Sequence, residues 1–246
     1  MDPLNTEIAK VYYQTTANRT HTRTRAFYDA AAATFSARLE GWLPCGPEVR
    51  CLDLACGCGD MLYTLESRGV RDLTGVDLCQ EELDEAHEFV KAKLVCADVL
   101  EYLGSIPSSS IDFVTAMNFL EHVPKETCRA ILAEVSRILR PGGTMVAMVP
   151  NAISAFAAIT RHWDITHEWA FTPNNFRQLA ALVGLSPEIE VRECGPFPHG
   201  LVSGIRYLLW QAIRTSIKFR LLVELADTKG GVYTMDMLVR LKAGTR

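Results

Sequence analysis

The chain has 246 residues, 48% of them hydrophobic, and a formal net charge of −4 with basic and acidic residues interspersed. That length is enough for one sizeable core, and the lack of a clustered basic face excludes a duplex nucleic-acid footprint. No apolar run reaches the roughly 18–20 residues of a membrane span, and "MDPLNTEIAK" is not a signal peptide. The expected compartment is cytoplasmic, where the eight cysteines remain thiols.

Residues 1–45 read as a helical N-terminal cap, with Phe27, Ala31, Phe35, Leu39 and Trp42 at helical spacing. From Cys51 the pattern becomes an alternation of strand and helix. "RCLDLAC" is a strand, "MLYTLESRG" a helix, "LTGVDL" a strand, and "CQEELDEAHEFVKA" an acidic helix. "AKLVCAD" and "SIDFVTAMNFL" are strands, "ETCRAILAEVSRILRPGG" is a helix with its stop, and "TMVAMVP" is a further strand. Such alternation with short connections predicts a parallel sheet covered by helices on both faces. Beyond it, "TPNNFRQLAALVG" is a helix capped by Thr172, and "EIEVREC" and "VYTMDMLVRLK" are two more strands. Between those strands, residues 201–225 form a long amphipathic helical insertion. The expected α/β fold is one domain over 1–246, with a cofactor-binding half at 51–151 and an acceptor-side half at 152–246.

The stretch "CLDLACGCGD" at 51–60 holds three cysteines and two glycines. The cysteine spacings lack the paired knuckles of a structural zinc site, and a period-2 strand sends Cys51 to the face opposite Cys56. The cysteines therefore read as small buried side chains. A strand that runs into Gly57 and Gly59 and then into a helix suits a nucleotide site, because backbone N–H groups and bare glycines let a ligand approach. The dinucleotide fingerprint would place its third glycine at position 62, which is Leu62. Asp53 in the first strand would repel a pyrophosphate and suits a ligand with a positive amino group.

"LDLACGCGD" resembles the first motif of class I S-adenosylmethionine-dependent methyltransferases, with Ala55 where the first alternating glycine is usual. "LTGVDL" resembles the second motif, "CADVLEY" the third, "IDFVTAMNFLEHVP" the strand-four motif, and "RILRPGGTMVAMVPN" the segment that follows. The resemblance implies a Rossmann-like, mostly parallel seven-stranded sheet with an antiparallel last strand, and S-adenosyl-L-methionine as cofactor. It assigns cofactor contacts to Asp53, Ala55, Cys56, Gly57, Gly59, Asp77, Leu78, Asp98, Val99, Asn118 and Phe119. Of these, Asp77 would hold the ribose hydroxyls and Asp98 the adenine amino group. Tyr12 or Tyr13 would lie near the sulfonium as a cation–π partner.

Methyl transfer to a hydroxyl needs alignment and removal of a proton. His122 in "NFLEHVP" is the first candidate base, on the expectation of a pKa near neutrality. The loop "RHWDITHEW" adds His162, Asp164, His167 and Glu168. It is open to three uses: orienting sugar hydroxyls, a base at His167, or a divalent cation held by Asp164, His167 and Glu121. No metal ligand is assigned outright, and His122, His167 and Asp164 are the catalytic candidates. The acceptor side is similar to bacterial methyltransferases of surface-polysaccharide and glycan pathways, which implies a sugar, glycan or other small polar hydroxyl, with His199, Trp163 and Trp169 as contacts. The 201–225 helix would pack on its own domain, form a homodimer interface, or lie on an anionic membrane surface through Arg206, Arg214, Lys218 and Arg220. The alternatives are an N- or carboxyl-methyltransferase and an NAD(P)-dependent oxidoreductase.

Overall fold

The structure is a computed structural model, and it describes residues 11, 15, 23–226 and 231–244. Tyr12 and Tyr13 lie outside the described residues. In chain order the elements are α1 (Arg25–Arg38), β1 (Arg50–Leu54), α2 (Asp60–Ser67), β2 (Asp72–Asp77) and α3 (Gln80–Ala86). Then come β3 (Lys93–Cys96), α4 (Val99–Ser105), β4 (Ile111–Met117), a 3-10 turn (Leu120–His122), α5 (Lys125–Ile138) and β5 (Leu139–Pro150). The remainder is α6 (Ala157–His162), α7 (Pro173–Val183), β6 (Glu190–Glu193), α8 (Leu201–Leu225) and β7 (Asp236–Lys242).

The seven strands form one sheet in the order β3-β2-β1-β4-β5-β7-β6. Strands β1 to β5 are parallel, and β7 runs antiparallel to both β5 and β6, as expected of the last strand. The order reverses at β1 and β4, the switch point outside which open α/β sheets bind ligands. One face packs Leu52, Leu54, Val114 and Ala147 against α5 and α7, and the other packs Cys51, Leu73, Phe113 and Val146 against α1, α2 and α3.

Several local expectations change. The buried line of α1 centres on Tyr28 and Ala32, while Phe27, Ala31 and Phe35 are only half-buried. The cap is therefore a packed helix of the second face, and the Tyr28 hydroxyl donates to the Cys58 carbonyl at 2.6 Å. Cys51 and Cys56 belong to the same core cluster, not to opposite faces. The physical reason is that β1 ends at Leu54, and Ala55 adopts a left-handed backbone (φ +51°) that resets the alternation. All eight cysteines are free thiols. Helix α5 stops at Ile138, and "RPGG" lies inside β5. Pro141 favours extended backbone at Arg140, and Gly142 (φ +81°) helps carry the strand past an irregularity opposite Ile111 and Phe113. The third glycine missing at Leu62 has a counterpart on the sheet, because a Cβ on Gly75 would lie 2.6 Å from Leu62 Cδ1. The small residue that lets α2 approach the sheet thus sits on β2.

Helix α7 follows its sequence signals closely, with Thr172 and Asn175 in a reciprocal capping box and Gly184 (φ +78°) closing it. Helix α8 spans the predicted 201–225. Trp210 and Arg214 turn inward to Glu193, while Leu201, Ile205, Leu208, Leu209, Phe219 and Val223 are exposed on the opposite side. Among the described residues no helix is long and apolar enough to cross a membrane.

Candidate functional site

The crevice at the carboxyl ends of β1, β2, β3 and β4 gathers the residues assigned to the cofactor. Gly57 (φ +50°) and Gly59 (φ +84°) form the turn, and Gly59 caps α2. Both occupy backbone that side chains rarely adopt, and a Cβ at Gly57 would also meet Glu82 Oε2 at 2.9 Å. Ala55 shares this left-handed conformation, so what its position demands is the backbone geometry as well as small size.

Asp77 ends β2 and accepts from Gly57 N at 2.8 Å and Cys79 N at 2.9 Å, which ties the glycine turn to the second strand. Asp98 is the N-cap of α4 and accepts from Leu100 N and Glu101 N through Oδ1. The residue expected to face the adenine is thus a carboxylate already fixed by a helix start. Val99 is buried in the core, Leu78 and Phe119 are half-buried, and Asn118 (φ +53°) turns the chain out of β4.

Asp53 lies beneath the turn, buried, and accepts from the Thr115 hydroxyl at 2.6 Å. Burial, with Asp77 and Asp60 nearby, pushes its pKa up to about 7 against the Thr115 hydrogen bond. Glu82 is pushed up to about 8 by burial and by Asp77. Among the described residues Arg23 is the cation facing this group, bonded to Asp60 at 2.9 Å and 3.7 Å from Glu85. A crevice with so many confined acids fits a ligand that brings positive charge, and S-adenosylmethionine carries both an ammonium and a sulfonium. A dinucleotide pyrophosphate would be repelled. Arg23, Glu82 and Thr115 are members of this site that sequence reasoning missed. Glu82 lies within an acidic helix that reads as a solvated face, so no local signal marks it.

The second group forms beside the end of β4. The chain leaves β5 at Asn151, runs through α6, and returns at Phe171, whose N–H donates to Pro150 O. Glu168 N donates to Glu121 O at 2.8 Å, which presses the "DITHE" loop against the 3-10 turn. The rings of His122 and His167 therefore meet edge-on, with centroids 4.7 Å apart. Glu121, His122 and His167 place ligand atoms within 4.8 Å of one another. Asp164 stands outside this trio. Its Oδ1 accepts from both the amide and the hydroxyl of Thr166, an Asx-turn, and Thr166 Oγ1 is 2.6 Å from His122 Nδ1.

Burial works against the Asp164 carboxylate, but Thr166 and the two histidines hold its pKa below the usual range. An ionised Asp164 takes the Thr166 proton, so Thr166 accepts from His122 Nδ1–H and leaves the lone pair on Nε2. His167 Nδ1 lies 2.7 Å from Thr160 O, which also leaves its lone pair on Nε2. Thr166 was not singled out from the sequence, although the Asp-x-Thr spacing of an Asx-turn is its signal.

One expectation about His122 is corrected. Burial and the neighbouring His167 push its pKa down to about 4, far from the neutral value a general base wants. Glu121 is 1% exposed, burial pushes its carboxyl up to about 8, and its Oε2 has no hydrogen-bond partner among the described residues.

The other acceptor-side candidates scatter. Trp169 packs on Phe171 and donates to Leu120 O, which makes it a core residue. Trp163 is 74% exposed on the loop. His162, Glu168 and His199 are exposed and stand outside the trio. A separate cleft of about 650 Å³, lined by Arg177, Arg192, Arg214 and Lys218, contains none of the crevice residues.

Residues 51–143 match the family described as Methyltransferase domain. Among curated relatives, the mRNA cap guanine-N(7) methyltransferase of Schizosaccharomyces pombe is 28% identical over 114 residues, 41% of this chain and 32% of that protein. The ubiquinone biosynthesis O-methyltransferase of Xanthomonas oryzae pv. oryzae (strain PXO99A) is 32% identical over 114 residues, 45% of this chain and 46% of that protein. The chain thus spans about a third to a half of the curated relatives it matches. A SAM-dependent methyltransferase structure from Archaeoglobus fulgidus superposes with a TM-score of 0.64 at 18% identity, covering 87% of this chain and 94% of that one. The Haemonchus contortus N-methyltransferase solved with phosphomonomethylethanolamine and S-adenosylhomocysteine gives 0.61 at 16% identity, over 96% and 59%. Residues 51–143 are thus similar to a methyltransferase domain, and the solved methyltransferases share the fold of the chain.

Proposed function

We propose that the chain transfers a methyl group from S-adenosylmethionine to a hydroxyl oxygen of a sugar or other small polar metabolite. Bound in the crevice, the cofactor supplies an electrophilic methyl group on sulfur. In this reading Asp77 receives the ribose hydroxyls, Asp98 the adenine amino group, and Asp53 with its acidic neighbours the positive charge. The Gly57–Gly59 turn lets the ligand approach the backbone.

The observation that carries the hydroxyl reading is the convergence of Glu121, His122 and His167 at the end of β4. A hydroxyl must lose a proton as its oxygen attacks, and these groups can accept or displace it, whereas a carboxylate acceptor would not need them. The ubiquinone biosynthesis O-methyltransferases among the relatives also act on oxygen, by their names. The narrower sugar reading is supported by Trp163, whose exposed ring offers an aromatic face for sugar C–H groups. The exposed apolar side of α8, flanked by Arg206 and Arg220, supports peripheral contact with an anionic membrane over a bare solvent face.

The test is S-adenosylhomocysteine production with panels of hydroxyl, carboxylate and amine acceptors. Turnover is expected with hydroxyl acceptors and should fall by about 10²–10⁴-fold in His167→Gln. Turnover on a carboxylate or amine that survives both Glu121→Gln and His167→Gln would refute the reading.

A further inference from the structure

We infer that Glu121, His122 and His167 form a binding site for a divalent transition-metal ion of the zinc or manganese class. The inference rests on the hydroxyl reading for its role in catalysis, but the site itself is argued from geometry.

Three observations converge. The ligand atoms of the three side chains lie within 4.8 Å of one another. Thr166 Oγ1 and Thr160 O hold the Nδ1 atoms of His122 and His167, which fixes the orientation of both rings beside Glu121. Glu121, 1% exposed, has a buried Oε2 with no hydrogen-bond partner among the described residues. A buried carboxylate oxygen without a donor is costly, and a cation between it and two imidazole nitrogens would satisfy it. Bonds of about 2.0–2.2 Å would draw the three atoms to roughly 3–3.5 Å apart, a small rotamer adjustment.

The ligand chemistry selects the ion. Two imidazoles and one carboxylate suit zinc or manganese, whereas magnesium prefers an oxygen cage. The Asp164–Thr166–His122 chain is the outer support usual for a metal-bound histidine. The site differs from the cation set expected from the sequence, since His122 takes the place of Asp164, which stands one bond further out. With three protein ligands, coordination positions remain open for an acceptor hydroxyl. There the oxygen would lose its proton to water, attack the methyl carbon, and leave the C–S electron pair on the sulfur of S-adenosylhomocysteine.

The experiment is equilibrium dialysis of the full chain against Zn²⁺, with Co²⁺ absorption as a report on coordination and Mg²⁺ as competitor. S-adenosylhomocysteine binding is measured on every sample. Wild type should bind one Zn²⁺ per chain, resist Mg²⁺, and show an intense Co²⁺ spectrum. Glu121→Gln and His167→Gln should each abolish the spectrum, Thr166→Val should weaken Zn²⁺ affinity about 10–100-fold, and His162→Gln should leave binding unchanged. The proposal is overturned if wild type binds S-adenosylhomocysteine but no Zn²⁺, or if binding survives both ligand substitutions. Loss of S-adenosylhomocysteine binding in wild type would instead strike the methyltransferase reading.

Discussion

Gly75→Ala tests how α2 and the glycine turn are held against the sheet. A methyl group at Gly75 would lie 2.6 Å from Leu62 Cδ1, 2.7 Å from Cys56 Sγ and 3.1 Å from Cys56 Cβ. Leu62 is fully buried, so its side chain has nowhere to swing. Overpacking of this kind costs about 1–3 kcal/mol, and two contacts under 3 Å place this case near 2. Leu62→Ala alone removes a buried side chain at a cost of about 2–5 kcal/mol. In the double variant the new methyl group occupies part of the space that Leu62 vacates. The combined loss should therefore be smaller than the sum by about 1–2 kcal/mol. Urea denaturation of the four proteins gives the coupling directly. Because Cys56 leads into the turn, Gly75→Ala should also weaken S-adenosylhomocysteine binding by about tenfold, equivalent to about 1.4 kcal/mol. Additivity within about 0.5 kcal/mol would refute the claim that Gly75 provides the small-residue contact missing at position 62.

Three further outcomes are expected. Ala55→Gly relieves a left-handed alanine and should raise stability by about 1 kcal/mol, read by thermal denaturation, whereas an unchanged or lower melting temperature would show that this position carries no strain. Asp53 rises from an ordinary pKa near 3.8 to about 7, so between those values the folded state holds more protons than the unfolded state. Its contribution therefore declines as pH rises through that window, by up to about 4 kcal/mol, and Asp53→Asn should flatten that part of the stability-versus-pH curve. A variant curve parallel to wild type would show that Asp53 does not titrate this way. Leu208→Glu with Phe219→Glu should abolish co-sedimentation with anionic vesicles, while loss of a dimer in sedimentation velocity with vesicle binding unchanged would reassign the α8 face to self-association.

The cofactor half was legible because its constraints are local. Gly57 and Gly59 announce a turn, Asp77 ends a short strand, and alternation of strand and helix carries the parallel sheet. Even there, Asp98 proved to be a helix cap as well as a strand-end acid. The period-2 rule failed at Cys56 because Ala55 takes a left-handed backbone that no composition rule marks. The acceptor side was only partly legible because its geometry depends on a distant return of the chain. His122 and His167 meet because Glu168 N bonds Glu121 O after the loop leaves β5. The low His122 pKa follows from that burial, which "NFLEHVP" does not contain. Asp164 and His167 are close in sequence, yet Thr166 separates their roles in space.

The central claim is that the crevice at the ends of β1 to β4 holds S-adenosylmethionine through charge and backbone geometry. The most direct measurement is calorimetric titration of S-adenosylhomocysteine and NADH into wild type and Asp77→Ala. S-adenosylhomocysteine should bind wild type at one site, Asp77→Ala should lose at least about tenfold in affinity, and NADH should not bind. Binding of NADH in place of S-adenosylhomocysteine, or an affinity for S-adenosylhomocysteine unchanged in Asp77→Ala, would contradict the account.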